Sequence, residues 1–458
     1  MKSELIVVEP FSFISYQEIE ISERVNEHGS ARIKGVLHDS TDEDMLEKIT
    51  ADEIITIKAI LDNGEVSVIF RGIICQILLS RDGGIKQLEI CAKSHTFLMD
   101  MKKEIRIFQN TVQTFSEVAA FVGKENEARF ISTEGKDQAI ERLIVQYQET
   151  DWEFLKRLAS MLHTVIVADS INGKISFSLG PTKPTMCELH DYTYRADRNL
   201  AEYYRQRING RQDCMEQDTF SLMITTRELL ELCAPALISN RTYYVKGIER
   251  RLLGNELVNT YELVLSGGLK TTEISNHKIA GISLEGKVSQ VERDRVQIGF
   301  EQDVDAPFIW FPFATSYSSP DGTGWYCMPE IGDEVRAYFP DEDERHGVAI
   351  NMIHLTCELR EQPDIKYIRS IYKKEIRFEP GAIRITNNKG TSVVLDDKKG
   401  VTIKSNRDIL VMAEGNIEMH GKKEVQIVGD GGVLARQGDN KIEIRDGIQQ
   451  IARTITQK

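Results

Sequence analysis

The sequence predicts a mainly β protein with four parts: two β-barrel-like modules with short helices, a five-stranded barrel of the OB-fold type, and a C-terminal intertwined β-helix shared by three chains. Short β-branched segments of alternating polarity recur along the chain, and glycine and aspartate turns separate them. Clear helical periodicity is confined to two segments. A length of 458 residues is too great for one ordinary core and favours several domains.

Composition excludes several classes of protein. Hydrophobic residues make up 41% of the chain and charged residues 28%, as in folded domains. The sequence contains no run of about 18 apolar residues, so it predicts no membrane-spanning helix. The N-terminus lacks the basic flank of a secretory signal, so we expect assembly in the cytoplasm. The seven cysteines are scattered and odd in number, which favours buried free thiols over disulfides or a zinc cluster.

Charge is unevenly distributed along the chain, whose formal net charge is −14. Residues 365–458 hold 18 Lys and Arg against 12 Asp and Glu, whereas the preceding residues hold 39 against 59. A strongly acidic body argues against a nucleic-acid partner, because the neutralisation of phosphates supplies most of that affinity. The basic tail either meets an anionic membrane surface or, more simply, keeps a β-rich segment soluble.

The first two modules are assigned to residues 1–110 and 111–270. The first contains strand-like segments at 55–61, 66–74 and 86–93, separated by turn residues, which is typical of a small barrel or sandwich. In the second, strand-like segments return after two helices. Together the two modules are expected to form a β-rich body with helices packed on it.

Each of the two predicted helices begins with a capping box, in which an N-cap hydroxyl and a glutamate three residues later bind each other's free backbone N–H groups. Thr114 and Glu117 form the first box, and Thr150 and Glu153 form the second. In the second helix, apolar residues at helical spacing predict burial. They are Trp152, Phe154, Leu155 and Leu158.

A new β module is predicted at residues 276–357, after a Ser-Gly-Gly boundary. Its length and its number of strand-like segments are typical of a five-stranded OB-type barrel. Within it, an aromatic segment and a Pro-x-x-Gly turn precede a strand of alternating polarity. The residues of this motif are Trp325, Pro329, Gly332, Asp333, Glu334 and Val335.

The C-terminal tail, residues 365–458, consists of short segments with a period of two residues and glycines between them. The segments are 376–379, 382–386, 392–396, 401–405, 409–413, 416–420, 424–428 and 441–445. Alternation predicts one apolar face along them. We assign to that face Ile383, Val394, Ile403, Val411, Ile417 and Val425.

The short repeats favour a trimer. A strand of about five residues has two or three inward side chains, too few to offset an ordering cost of ~1–2 kcal/mol per residue in one chain. Three chains wound about one axis would share an apolar core and pair their edge strands. A single-chain β-solenoid is the alternative, but its coils usually need ~20 or more residues each.

No set of residues has a clear catalytic or metal-binding pattern, and no cofactor is expected. Glu149, Asp151 and Glu153 are neighbouring carboxylates, which we interpret as structural groups at a helix N-terminus. The acidic run 341–344 lacks the glycine and the ligand spacing of a calcium loop, so we interpret it as a solvated turn. His420 alternates with the apolar positions of the tail and is expected to face solvent.

The order of these parts resembles that of the VgrG family of type VI secretion systems and of the equivalent hub–spike proteins of contractile phage tails. Segment 145–160 is similar to the family's hub signature, a helix that includes Glu149, Asp151, Trp152, Phe154, Leu155 and Leu158 here. Segment 295–347 is similar to the family's OB module, and the glycine-punctuated repeats stand where the family has its needle. These repeats are less regular than the valine–glycine repeats of the family.

The resemblance implies a non-enzymatic homotrimer that caps an inner tube protein and docks to baseplate proteins. It also implies a small PAAR-type protein at the needle tip and a target membrane that the needle pierces on sheath contraction. Cytoplasmic assembly would precede delivery outside the cell in an injection particle. Two alternatives remain: a receptor-binding trimeric tail fibre, and a cell-wall hydrolase carried on a β-fibre.

Overall fold

The computed structural model of the chain describes residues 3–38, 44–182, 184–254, 256–306, 308–350, 357 and 360–456. The chain divides into two compact units, which we call the first unit, Met1–Ile353, and the tail unit, His354–Lys458. Strands predominate in both, which confirms the mainly β prediction. Among the described residues, no helix is both long and apolar enough to cross a bilayer.

Six strands and a short helix form the N-terminal part of the first unit. They are β1 (Ser3–Glu9), β2 (Phe13–Arg24), β3 (Ser30–Leu37), α1 (Met45–Lys48), β4 (Ile54–Leu61), β5 (Val66–Asp82) and β6 (Ile85–Lys93). Every second side chain of these strands points into a core that contains Ile19, Ile33, Phe70 and Leu88.

Two small sheets and two helices follow. The elements are β7 (Lys103–Phe108), α2 (Phe115–Glu125), β8 (Arg129–Ser132), β9 (Ile144–Thr150), α3 (Asp151–Met161), β10 (Ile166–Ala168) and β11 (Ser176–Leu179). β7 pairs with β9, and β10, β11 and β8 form a separate sheet. Both predicted capping boxes are confirmed: the hydroxyls of Thr114 and Thr150 accept from the N–H groups of Glu117 and Glu153 at 3.2 and 3.1 Å.

The third part of the first unit extends the N-terminal sheet. Its elements are β12 (Cys187–Glu188), β13 (Tyr192–Arg198), α4 (Leu200–Ile208), β14 (Phe220–Thr226), β15 (Pro235–Ile238), β16 (Arg241–Leu253) and β17 (Glu256–Val264). β2 pairs with β16, so strands from both predicted modules belong to one 12-stranded sheet. The predicted boundary near residue 110 is therefore not a boundary of this sheet.

A five-stranded sheet completes the first unit. Its strands are β18 (Ser283–Glu292), β19 (Arg295–Phe300), β20 (Trp310–Pro312), β21 (Glu334–Tyr338) and β22 (Val348–Ile350), in the order β20-β19-β18-β21-β22. A parallel bridge between Phe313 and Ala349 joins the two ends of the sheet, so it curves into a barrel. Much of the predicted C-terminal end of this module, up to residue 357, lies outside the described residues. The assignment to the OB fold stays a prediction.

The tail unit contains two antiparallel sheets. The first consists of β23 (Lys366–Arg369), β24 (Glu375–Glu379), β25 (Ala382–Thr386), β26 (Ser392–Asp396) and β27 (Gly400–Lys404), paired in sequence order. The second consists of β28 (Val433–Gln437), β29 (Asn440–Ile444) and β30 (Ile448–Ile451). Residues 405–432 contain no strand in the single chain, so the strands predicted at 409–413, 416–420 and 424–428 are absent there.

All seven cysteines are free. Cys214 and Cys233 are buried, as the composition led us to expect. Cys75 and Cys327, by contrast, are exposed, so the expectation of burial is wrong for these two thiols.

Candidate functional site

A buried arginine on α3 joins three parts of the first unit. The Nε and Nη2 atoms of Arg157 donate to the two carboxylate oxygens of Glu149, each at 2.8 Å. Its Nη1 donates to Oε1 of Glu344 at 2.9 Å, and Nη2 also donates to the carbonyl oxygen of Val145 at 2.8 Å. Arg157 is 1% exposed. It therefore ties α3 to β9 and to the segment between β21 and β22 of the barrel.

The network places one positive charge between two carboxylates away from water. Burial alone would lower the pKa of the Arg157 guanidinium, but Glu344 and Glu149 more than offset this, and the pKa is raised. Burial raises the pKa of Glu149, and the charge of Arg157 opposes that rise. Glu344 is 7% exposed, so its interpretation as part of a solvated turn is wrong. Removal of Arg157 would leave two buried carboxylates without this cation, whereas removal of either glutamate would leave Arg157 paired with the other.

Asp151, the second carboxylate in the segment that resembles the hub signature, also has hydrogen-bond and ion-pair partners. Asp151 accepts hydrogen bonds from Gln146 at 2.9 Å and from Asn126 at 2.7 Å, and it pairs with Arg106. Each partner comes from another element or turn, so Asp151 fixes the start of α3 rather than facing a cleft. With Glu153 in the capping box, the three neighbouring carboxylates all have structural partners.

The aromatic residue of the signature joins α3 to the N-terminal sheet. Trp152 is 1% exposed and packs on the imidazole of His28 with ring centroids 4.5 Å apart. His28 in turn hydrogen-bonds Thr96 and Asp100, both at 2.8 Å. The hydroxyl of Thr150 donates to Asp100 at 2.5 Å. Phe154, Leu155 and Leu158 lie in the same buried cluster as Trp152.

The barrel motif contains a turn and an exposed aromatic. Gly332 adopts a φ of +91°, a conformation that favours glycine, and its N–H donates to the carbonyl oxygen of Val288 at 2.8 Å. The Asp333 carboxylate accepts from the N–H of Glu330 at 2.9 Å. These bonds order the turn that leads into β21, where Val335 is buried and Glu334 is half-buried. Trp325 is 59% exposed. Pro329 begins the turn.

One face of the first tail sheet is apolar and open. The register of β24 to β27 puts eight large side chains on that face. They are Ile376, Phe378, Ile383, Ile385, Val393, Leu395, Val401 and Ile403. We call them the apolar tail face. Seven of the eight are exposed in the single chain, Ile403 to 61%.

The opposite face of this sheet is polar, and Val394 belongs to it. Val394 pairs with Arg384 and Thr402, so the prediction that it shares a face with Ile383 and Ile403 is wrong. Two consecutive valines in β26 made the alternation ambiguous, and the register assigns the apolar position to Val393. Glu375, Arg377 and Glu379 also lie on the polar face.

The segment between the two tail sheets, residues 405–432, alternates apolar with polar residues and pairs with no strand among the described residues of the single chain. The predicted core residues Val411, Ile417 and Val425 are 68%, 54% and 49% exposed. Apart from the bond from Gly432 to Gly429, no backbone hydrogen bond is described within this stretch. We call it the unpaired tail segment. Its backbone and its side chains are both open to further partners.

Groups that could hold a metal ion, with three or more His, Cys, Asp or Glu side chains, are absent from the described part of the chain. The arrangement of the first unit thus consists of ion pairs and packed aromatics that hold elements together. The tail unit exposes an apolar face and the apolar side chains of the unpaired tail segment. Sequence reasoning located the helix and the tail, but it missed Arg106, Arg157 and Glu344, whose partners are remote in sequence.

No protein-family model matches the sequence. No curated protein matches it either. The solved structure of the E. coli c3393 protein, described as a type VI secretion component similar to the T4 bacteriophage tail proteins gp27 and gp5, does match. It is 13% identical, and the match covers 75% of this chain and 98% of that one, with a TM-score of 0.51.

Structures of the Francisella PdpA-VgrG complex match over more of the chain. The half-lidded form is 11% identical over 88% of this chain and 88% of that one, with a TM-score of 0.53. The lidless form is 11% identical over 88% of this chain and 98% of that one, with a TM-score of 0.51. Identities this low inform on the fold, and the matches extend over most of each chain. The chain therefore has the fold of the VgrG-like hub and spike proteins.

Proposed function

We propose that the chain is the homotrimeric hub and spike subunit of a contractile injection system. The observation that carries the proposal is the exposure of the apolar tail face together with the unpaired tail segment. Contiguous apolar surface of this kind marks an interaction site in a soluble protein. Three copies around one axis would turn the apolar faces inward and the polar faces, with Arg377 and Arg384, toward water.

The backbone supports the same assembly. The unpaired tail segment has β-branched residues at alternating positions but no partner strand in the part of its own chain that the structure describes. Equivalent segments of two further copies would supply hydrogen bonds for these N–H and C=O groups, which are costly to leave unpaired once they are buried. The first tail sheet needs no such pairing, because its strands bond within the chain. Interwinding is therefore proposed for residues 405–432 rather than for the whole tail.

The role in a machine is inferred from the fold and from what the matched proteins are. The c3393 protein is a type VI secretion component, and gp27 and gp5 are phage tail proteins. By analogy, the first unit would cap the inner tube and anchor to the baseplate, and the needle would carry a PAAR-type tip protein and pierce a target membrane. The chain would be assembled in the cytoplasm and leave the cell within the particle.

The role is structural rather than catalytic. Arg157 forms ion pairs with Glu149 and Glu344, and Arg106 forms one with Asp151. These carboxylates hold structural elements together and do not face a substrate cleft. An enzyme would need a base or nucleophile that is open to a cleft.

Static light scattering of the purified chain tests the assembly. The expected mass is about three times 52.1 kDa. Negative-stain micrographs should show a thin rod on a wider body. A monomer at micromolar concentration would contradict the proposal. A trimer without a rod would contradict the needle but not the trimer.

The place in a machine needs a separate test. Particles purified from cells that produce the chain with an epitope after Lys458 should bind gold-labelled antibody at one end of the tube only. Labelling along the tube or on lateral fibres would favour the receptor-binding alternative.

A further inference from the structure

Two free cysteines lie on neighbouring strands of the outer face of the N-terminal sheet, one of them in a β-bulge beside the other. β5 and β6 form an antiparallel pair in which Ile74 faces Ala92 and Gln76 faces Cys91, so Cys75 is the extra residue of a β-bulge. The register thus leaves Cys75 next to Cys91 across the strands.

Core contacts fix the direction of both side chains. On β5, Ile74 and Ile77 pack toward the core, which directs the two residues between them, Cys75 and Gln76, outward. On β6, Ile90 and Ala92 lie in the core, so Cys91 also points outward. Both cysteines line one pocket of about 410 Å³ on this face.

We propose that Cys75 and Cys91 form an oxidation-sensitive dithiol that closes to a disulfide within the β5–β6 hairpin. Both bulge residues, Cys75 and Gln76, stand against Cys91 on the neighbouring strand. Cα atoms that face each other across antiparallel strands are about 4.5–5.5 Å apart, and disulfides span about 4.4–6.8 Å, so a small adjustment of the bulge brings Cys75 within reach of Cys91. Cys75 is exposed, so an oxidant can reach it. The proposal depends on the sheet geometry and not on the oligomeric state of the chain.

The chemistry requires a two-electron oxidant, for which we name a low-molecular-weight disulfide. The thiolate of Cys75 attacks one sulfur of that disulfide, forms a mixed disulfide and releases one thiolate. The thiolate of Cys91 then attacks the sulfur of Cys75, forms the Cys75–Cys91 bond and releases the second small thiol. The protein loses two electrons and two protons, and the oxidant gains them.

The surroundings suit a pair that is reduced at rest. Burial raises the pKa of the Cys75 thiol, and the nearby charge of Lys93 opposes that rise. At neutral pH most of this cysteine is therefore protonated and slow to react. Disulfides persist outside the reducing cytoplasm. Under the proposed function the chain would be delivered out of the cytoplasm, to surroundings in which the disulfide is stable.

The test uses the purified full-length chain with Cys327→Ser, which removes the other exposed thiol, and oxidised glutathione as the oxidant. Trypsin cleaves after Arg71, Arg81, Lys86 and Lys93, which places Cys75 in peptide 72–81 and Cys91 in peptide 87–93. After oxidation, mass spectrometry without reductant should show these two peptides joined. Reduction should separate them.

Closure should also be visible in the folded protein. Oxidation should raise the melting temperature of the first unit by about 2–5 °C and slow hydrogen exchange in residues 76–90. The Cys75→Ser and Cys91→Ser variants should lose both effects and the joined peptide. A stable glutathione adduct on Cys75 with Cys91 still free would overturn the proposal, as would the absence of any reaction at Cys75.

Discussion

At the scale of single residues, the first unit depends on a few side chains that bridge separate elements. Arg157 connects α3, β9 and the barrel, and Trp152 connects α3 to the N-terminal sheet through His28. Neither bridge is a local interaction. Their substitution should therefore affect the stability of the whole unit rather than that of one helix.

We expect Trp152→Ala to lower the free energy of unfolding of the first unit by ~3–5 kcal/mol, because the substitution removes a buried aromatic and leaves a cavity. Chemical denaturation followed by circular dichroism measures the change. Trp325→Ala is the matched control, since Trp325 is 59% exposed and its loss should cost within ~0.5 kcal/mol. Equal effects of the two substitutions would show that α3 is peripheral.

A second residue-scale prediction concerns Asp303, which faces β7 from the end of β19. Burial raises its pKa from 3.8 to about 6, and the charge of Asp305 adds to the rise, whereas hydrogen bonds from Gln109 and from the N–H of Phe300 oppose it. The contribution of Asp303 to stability is therefore fully present below pH 3.8 and is lost as the pH rises through about 6.

It follows that Asp303→Asn should stabilise the first unit more at about pH 7.5 than at about pH 4.5, because the neutral amide avoids the cost of the buried charge. Melting temperatures at the two pH values measure the difference. Asp294→Asn, an exposed substitution in the same barrel, serves as the control. A larger benefit at the lower pH would refute the assignment.

At the scale of elements, the tail strands can be tested with a pair of neighbouring valines. Val393 lies on the apolar tail face and Val394 on the polar face beside Arg384. In a trimer, Val393→Asp would place three carboxylates in one desolvated core, where like charges force proton uptake or expulsion of the strands. Val394→Asp would place a carboxylate near an arginine in water.

We therefore expect Val393→Asp to abolish or greatly weaken the trimer and Val394→Asp to leave it intact. Size-exclusion chromatography with light scattering reads out both variants at the same concentration. The pair Ile403→Asp and Lys404→Asp on β27 should repeat the contrast. The opposite outcome would mean that the strand register is shifted by one residue.

The sequence predicts features that depend on local residues better than features that depend on remote partners. Capping boxes are local, and both predicted helices begin at their N-caps, Thr114 and Thr150. The partner of Glu344, by contrast, is Arg157, 187 positions away, and no local pattern reveals such a pair. β28 contains one β-branched residue, Val433, and forms because it pairs with β29. The pairing of β2 with β16 likewise depends on the whole sheet rather than on either segment.

At the scale of the whole molecule, we expect the first unit to fold by itself and the tail unit to form most of the contacts between chains. The first unit has its own cores, whereas the tail unit exposes most of its large apolar side chains. A chain that ends before Ile365 should therefore fold but trimerise weakly or not at all. Sedimentation equilibrium of this shortened chain beside the full chain decides the point. A tight trimer without the tail would place the main contacts in the first unit.

The contrast between the self-paired tail sheet and the unpaired tail segment also sets an order of events during synthesis. Each of the strands β23 to β27 pairs with its neighbour in sequence, so one nascent chain can close this sheet at the ribosome within microseconds to milliseconds. Under the proposed trimer, residues 405–432 would have to wait for two more copies, and the waiting time would lengthen as expression falls. During that interval the exposed apolar side chains of this segment would make the partly folded chain prone to aggregate. Polysomes, which bring several nascent copies together, would shorten its lifetime, and a holdase chaperone would protect it.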